Sequence, residues 1–67
     1  MKITARNQLS GTVTSIKLGG VMAEVVIDVA GNEIVSVVTR HSAEDLGLAE
    51  GDTVTAIIKS TEVMLAK

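Results

Sequence analysis

Between residues 21 and 29 every second position is apolar: Val21, Ala23, Val25, Ile27 and Val29. Period two places all five on one face of a pleated strand, which commits that face to burial. Met22, Glu24, Val26 and Asp28 fall on the other face, a mixture suited to a surface partly covered by another chain. The material available to pack against this strand is narrow, because none of the 67 residues is Phe, Tyr, Trp or Cys. The core is therefore built from Val, Ile, Leu, Ala and Met, and such β-branched wealth favours strands.

A chain of this length forms one domain, residues 1–67, with no proline, low-complexity stretch or composition shift to mark a linker. Its size lets it bury only about 60% of the surface that the unfolded chain exposes. Disulfides, a structural metal or association are the usual reinforcements. With no Cys and one His, association with other copies is the expected one.

Along the chain, Leu9, Val13, Ile16 and Leu18 mark a first strand whose alternation breaks between Val13 and Ile16, as a β-bulge would cause. Gly19-Gly20 turns into the second strand, and Ala30-Gly31-Asn32-Glu33 into a third at 34–39, with Gly and Asn expected at the positive φ of the hairpin. Residues 41–47 read as a short helix with Ser42 as cap, Glu44 and Asp45 near its start and Gly47 as its left-handed stop. Strands at 53–59 and 62–66 follow. Three strands, a short helix and two more strands give an all-β chain with one short helix, in the order of a five-stranded Greek-key barrel of the OB type.

Charge and composition exclude several functions. The net charge is −2 with no basic cluster, and there are no aromatics for base stacking, so nucleic acid is not an expected partner. No apolar run approaches the roughly 20 residues of a membrane span, and no signal-peptide pattern opens the chain. Together with the lack of Cys, this points to the cytoplasm. His41 stands alone, which makes no metal site. Catalysis needs a nucleophile with a positioned base, and no Ser or Thr has a recognisable His partner, so no enzyme is expected.

What remains is a pair of donor-rich segments. Arg6 lies among Thr4, Asn7 and Gln8; Lys59 precedes Ser60 and Thr61, and no acid occurs in either segment before Glu62. Arg offers a rigid fork of donors and Lys a compact charge; hydroxyls and an amide beside them suit a tetrahedral dianion. From residue types and spacing alone, Arg6 and Lys59 are better read as solvated surface charges and Ser60-Thr61 as a turn.

Family resemblance bears on that choice. Ala5-Arg6-Asn7-Gln8-Leu9, Val21-Met22-Ala23-Glu24-Val25, Leu46-Gly47-Leu48 with Glu50-Gly51, and the run from Val54 through Lys59-Ser60-Thr61 to Met64 together resemble the molbindins, small Mop-type molybdate-binding proteins. The resemblance covers nearly the whole chain. It implies an OB-like subunit in a homo-oligomer, a hexamer built as a trimer of dimers, holding molybdate or tungstate between subunits and needing no other cofactor. Carried over position by position, it assigns oxyanion binding to Thr4, Ala5, Arg6, Asn7, Thr39, Lys59, Ser60 and Thr61. It also makes Gly19, Gly20, Val21 and Met22 a candidate second oxyanion site through backbone N–H groups, although a plain glycine turn explains those four residues equally well.

The expected function is thus intracellular binding and storage or buffering of the oxyanion without catalysis. The alternative is a structural or partner-binding OB-like module in which the donor-rich segments are incidental.

Overall fold

A computed structural model describes residues 2–67. Strands β1 (Asn7–Leu18), β2 (Met22–Val29) and β3 (Asn32–Thr39) are followed by helix α1 (Arg40–Asp45), strand β4 (Thr53–Ile58) and a 3-10 turn at Ser60–Glu62. The strands form one antiparallel sheet in the order β3-β2-β1-β4.

The long first strand is the hinge of this sheet. Its first half pairs with β4, from Asn7 opposite Ile58 to Thr12 opposite Thr53, and its second half pairs with β2, from Thr12 opposite Asp28 to Leu18 opposite Ala23. Within the second half the register slips at Thr14, the expected bulge. The slip turns both Val13 and Ile16 toward the core, and the Thr14 hydroxyl donates to the Val26 carbonyl at 3.3 Å. Gly11 sits where β1 bends tightly over β2: a Cβ there would lie 2.6 Å from Ile27 Cγ2 and 2.7 Å from the Asp28 carbonyl oxygen.

Val13, Val25 and Ile27 form the buried centre, with Ile16, Val29, Ile34, Val38, Leu48, Val54 and Ala56 packed around them. The alternation of β2 is borne out from Ala23 onward, whereas Val21 lies in the turn and is exposed. Among the described residues only five hydrophobic side chains are buried, Val13, Ala23, Val25, Ile27 and Ala43. That is a small core even for a short chain.

Several boundaries differ from expectation. The turn before β3 consists of Ala30 (φ +49°) and Gly31 (φ +87°), a two-residue hairpin loop in which both residues take positive φ, and Asn32 is already paired with Val29. The helix starts at Arg40, one residue early, because Thr39 rather than Ser42 is its cap: the Thr39 hydroxyl oxygen accepts from the Ser42 N–H at 3.0 Å. Its end is as expected. Gly47 takes φ +62° and donates to the Glu44 carbonyl, while Leu48 N–H reaches back to the Ala43 carbonyl, a Schellman stop.

The strand expected at 62–66 is absent. The chain turns at Ser60–Glu62 and residues 63–67 pair with no strand, so the single chain is an open four-stranded sheet rather than a closed five-stranded barrel. The physical reason lies in burial: Met64 and Leu65 are 91% and 94% exposed, and nothing covers them to repay the ordering of a strand. No helix among the described residues is long and apolar enough to cross a membrane.

Candidate functional site

Antiparallel pairing brings the two donor-rich segments together. The β1–β4 ladder ends with Asn7 opposite Ile58, so Arg6 and Lys59 are the next residues along each strand at the same end of the sheet. Gln8 secures the entry to β1 by donating from its side-chain amide to the Ala5 carbonyl at 2.7 Å. Arg6, Asn7 and Ser60 line one shallow depression of about 410 Å³, walled by Leu9, Ile58 and Val63. Lys59 lines a different hollow, with Glu62. One chain thus sets Arg6, Asn7 and Ser60 around one depression and Lys59 beside another.

The environment of these groups suits an anion. Among the described residues the Arg40–Glu44 ion pair at 3.6 Å and the His41–Asp45 contact at 3.2 Å both lie within α1, and neither involves Arg6 or Lys59. Thr4, Arg6, Asn7, Lys59, Ser60 and Thr61 are all exposed, and Ala5 is half-buried. In the 3-10 turn, Glu62 N–H donates to the Lys59 carbonyl and Val63 N–H to that of Ser60. The N–H groups of Ser60 and Thr61 donate to no backbone carbonyl among the described residues, as in the first turn of any helix.

Thr39 is not part of this cluster in the same chain. It pairs with Met22 at the other end of β1, and its hydroxyl is engaged as the α1 cap and as donor to Ser42 Oγ at 2.7 Å. There it lines a second depression with Gly20, Val21, Arg40, His41 and Glu44. The Gly19-Gly20-Val21-Met22 turn is closed by Gly19 N–H donating to the Met22 carbonyl at 2.7 Å. The Gly19 N–H is therefore occupied within the turn.

Arg40 was missed by sequence reasoning. Its backbone N–H donates to the Val21 carbonyl at 2.7 Å and its guanidinium to the Gly19 carbonyl at 3.2 Å, so a fixed cation is tied to the glycine turn. The signal was available in its position next to Thr39. Placing the helix start one residue too late hid it.

This fold recurs in known proteins. The sequence pattern described as the TOBE domain matches residues 3–65. The chain belongs to the TOBE domain family. Among TOBE relatives, molybdenum-pterin-binding protein 1 of Clostridium pasteurianum is 52% identical over 66 residues, covering 97% of both chains. The solved structure of a molybdate-binding protein from Sporomusa ovata superposes with a TM-score of 0.95 at 48% identity, over the whole of both chains. ModG, a cytoplasmic molybdate-binding protein solved with molybdate bound, gives a TM-score of 0.84 at 41% identity; the match spans 97% of this chain and 53% of that one.

Proposed function

We propose that this chain binds molybdate or tungstate reversibly, between copies of itself, and serves in the cytoplasm as a store or buffer of the oxyanion without acting on it chemically. The observation that carries this reading is the meeting of Arg6, Asn7 and Ser60 in one acid-free depression, in a chain whose near relatives are named for molybdenum or molybdate. Binding here is replacement of water by fixed donors. The Arg6 fork and the Lys59 ammonium neutralise the dianion; the hydroxyls of Thr4, Ser60 and Thr61, the Asn7 amide and open backbone N–H groups, with Ala5 leaving room, take the remaining oxygens.

An interface site fits the placement of the two cations. Arg6 and Lys59 of one chain line different hollows, so a dianion held by both draws each from a different copy. Thr39, at the far end of β1, joins such a site only from another chain. The candidate second oxyanion site at Gly19, Gly20, Val21 and Met22 has Arg40 beside it, although that guanidinium also faces Glu44 at 3.6 Å. The small buried core supports the same arrangement, because a chain with five buried hydrophobic side chains among the described residues gains much from association. We infer that residues 1–67 form one domain, that the five-stranded barrel is completed in the assembly, and that the assembly is a hexamer, a trimer of dimers.

The ligand of this reading is the free oxyanion. An organic pterin calls for stacking surfaces and enclosure, and the chain has no aromatic side chain and no Cys. Titration calorimetry with molybdate, tungstate, sulfate and a pterin tests the proposal directly. Heat and saturation with molybdate or tungstate are expected; no heat with either sinks the reading in favour of a structural OB-like module.

A further inference from the structure

Residues 2–6 belong to no helix or strand, yet three of the proposed oxyanion ligands, Thr4, Ala5 and Arg6, lie there. Ligands carried on such a segment are well placed only where something holds it still. Gln8 supplies the hold. It is the second residue of β1, opposite Ile57 in β4, and its side chain turns back three residues to donate from Nε2 to the Ala5 carbonyl oxygen at 2.7 Å. No other side-chain hydrogen bond among the described residues reaches residues 4–9 or 59–61.

The bond does two things for an anion. A carbonyl oxygen left free beside a dianion repels it, and the Ala5 carbonyl already accepts an N–H. The bond also fixes the peptide that joins Ala5 to Arg6, since the atoms of a peptide unit move as one plane. Arg6 is then anchored on both sides, by that peptide and by the β1–β4 ladder that begins at Asn7 opposite Ile58. Gln8 lines the same depression as Arg6, Asn7 and Ser60, so the hold is applied at the proposed site itself. For the fold the bond counts little, because Gln8 is exposed and water can take the place of either partner.

We propose that Gln8 is a positioning residue of the oxyanion site, holding residues 4–6 in their binding conformation before the anion arrives. This rests on the reading of Arg6 as an oxyanion ligand and goes further, because it gives Gln8 a part in binding that is exerted through Ala5 and Arg6. The free protein then has less backbone to order when the anion binds, and the saving appears as affinity.

Gln8→Met keeps the length of the side chain and removes its donor, which makes it the test. Calorimetry with molybdate and tungstate is expected to show affinity lowered by roughly five- to tenfold, the worth of one such hydrogen bond, with the melting temperature of the free protein unchanged. Amide NMR relaxation of the anion-free protein reads the hold directly: Ala5 and Arg6 should be as rigid as β1 in the wild type and freer in Gln8→Met, while β1 itself stays the same. In a double-mutant cycle, the loss should largely vanish when Arg6→Ala is already present. Affinity lost with unchanged backbone order, and undiminished beside Arg6→Ala, means that Gln8 touches the anion itself and overturns the positioning role. Wild-type affinity in Gln8→Met overturns it too, and in both cases the oxyanion reading stands. A melting temperature that falls together with order throughout β1 makes Gln8 a structural residue and sinks the proposal. If the wild-type protein takes up neither anion, both readings fall.

Discussion

Arg6 precedes β1 by one residue, and its placement separates two kinds of importance. It is exposed and makes no ion pair among the described residues, so its removal has little to disturb in the folded subunit. If it holds the oxyanion, Arg6→Ala loses charged hydrogen bonds worth roughly 1.5–3 kcal/mol each and weakens binding by well over tenfold, with the melting temperature of the free protein unchanged. Lys59→Ala is expected to behave in the same way. Calorimetry beside thermal melting checks both, and full affinity in both variants defeats the site assignment. Gly11 is the converse case, remote from any ligand but sterically fixed. Gly11→Ala pushes a methyl group against the Asp28 carbonyl and two aliphatic side chains of β2. It should cost about 1–3 kcal/mol in chemical denaturation, and a neutral result would show that β1 shifts freely over β2.

At the scale of elements, legibility tracked how local each cause is. The β2 alternation, the bulge before Ile16 and the Gly47 stop were legible because each is written in a few adjacent residues. The hairpin was placed correctly but its chemistry was not, since Ala30, an unfavourable residue for φ +49°, occupies the position that Asn or Gly would ordinarily hold. Ala30→Asn is therefore expected to stabilise the fold by about 0.5–1 kcal/mol, seen as a higher denaturation midpoint. The cap was misread because both Thr39 and Ser42 carry a capping hydroxyl, and only the end of β3 decides between them. Thr39→Ala should lose about 1 kcal/mol, whereas Thr39→Ser should lose little; equal loss in both would point to packing instead of the cap. The candidate site was legible as two segments in the sequence. Their meeting depended on the Asn7–Ile58 register, and the placement of Arg6 and Lys59 beside different hollows on the curl of the sheet, which no local pattern encodes.

For the whole molecule the proposed assembly links stability to both association and ligand. If other copies cover the exposed apolar side chains, the melting temperature rises with protein concentration. An oxyanion that binds the assembled form and not the unfolded chain adds RT ln(1 + [L]/Kd), about 2.7 kcal/mol at a hundredfold excess over Kd. For a chain of this size that corresponds to a rise of roughly 10–20 °C. Melting curves at several protein concentrations, with and without molybdate, separate the two contributions. If the sites lie between chains, molybdate should raise the melting temperature and also hold the assembly together at dilutions where the free protein dissociates. A ligand-induced rise with no change in the dilution behaviour would place the anion within one subunit. That outcome would require Arg6 and Lys59 to converge by a rearrangement of the Ser60–Glu62 turn, since the 3-10 turn as it stands sets the two cations beside different hollows.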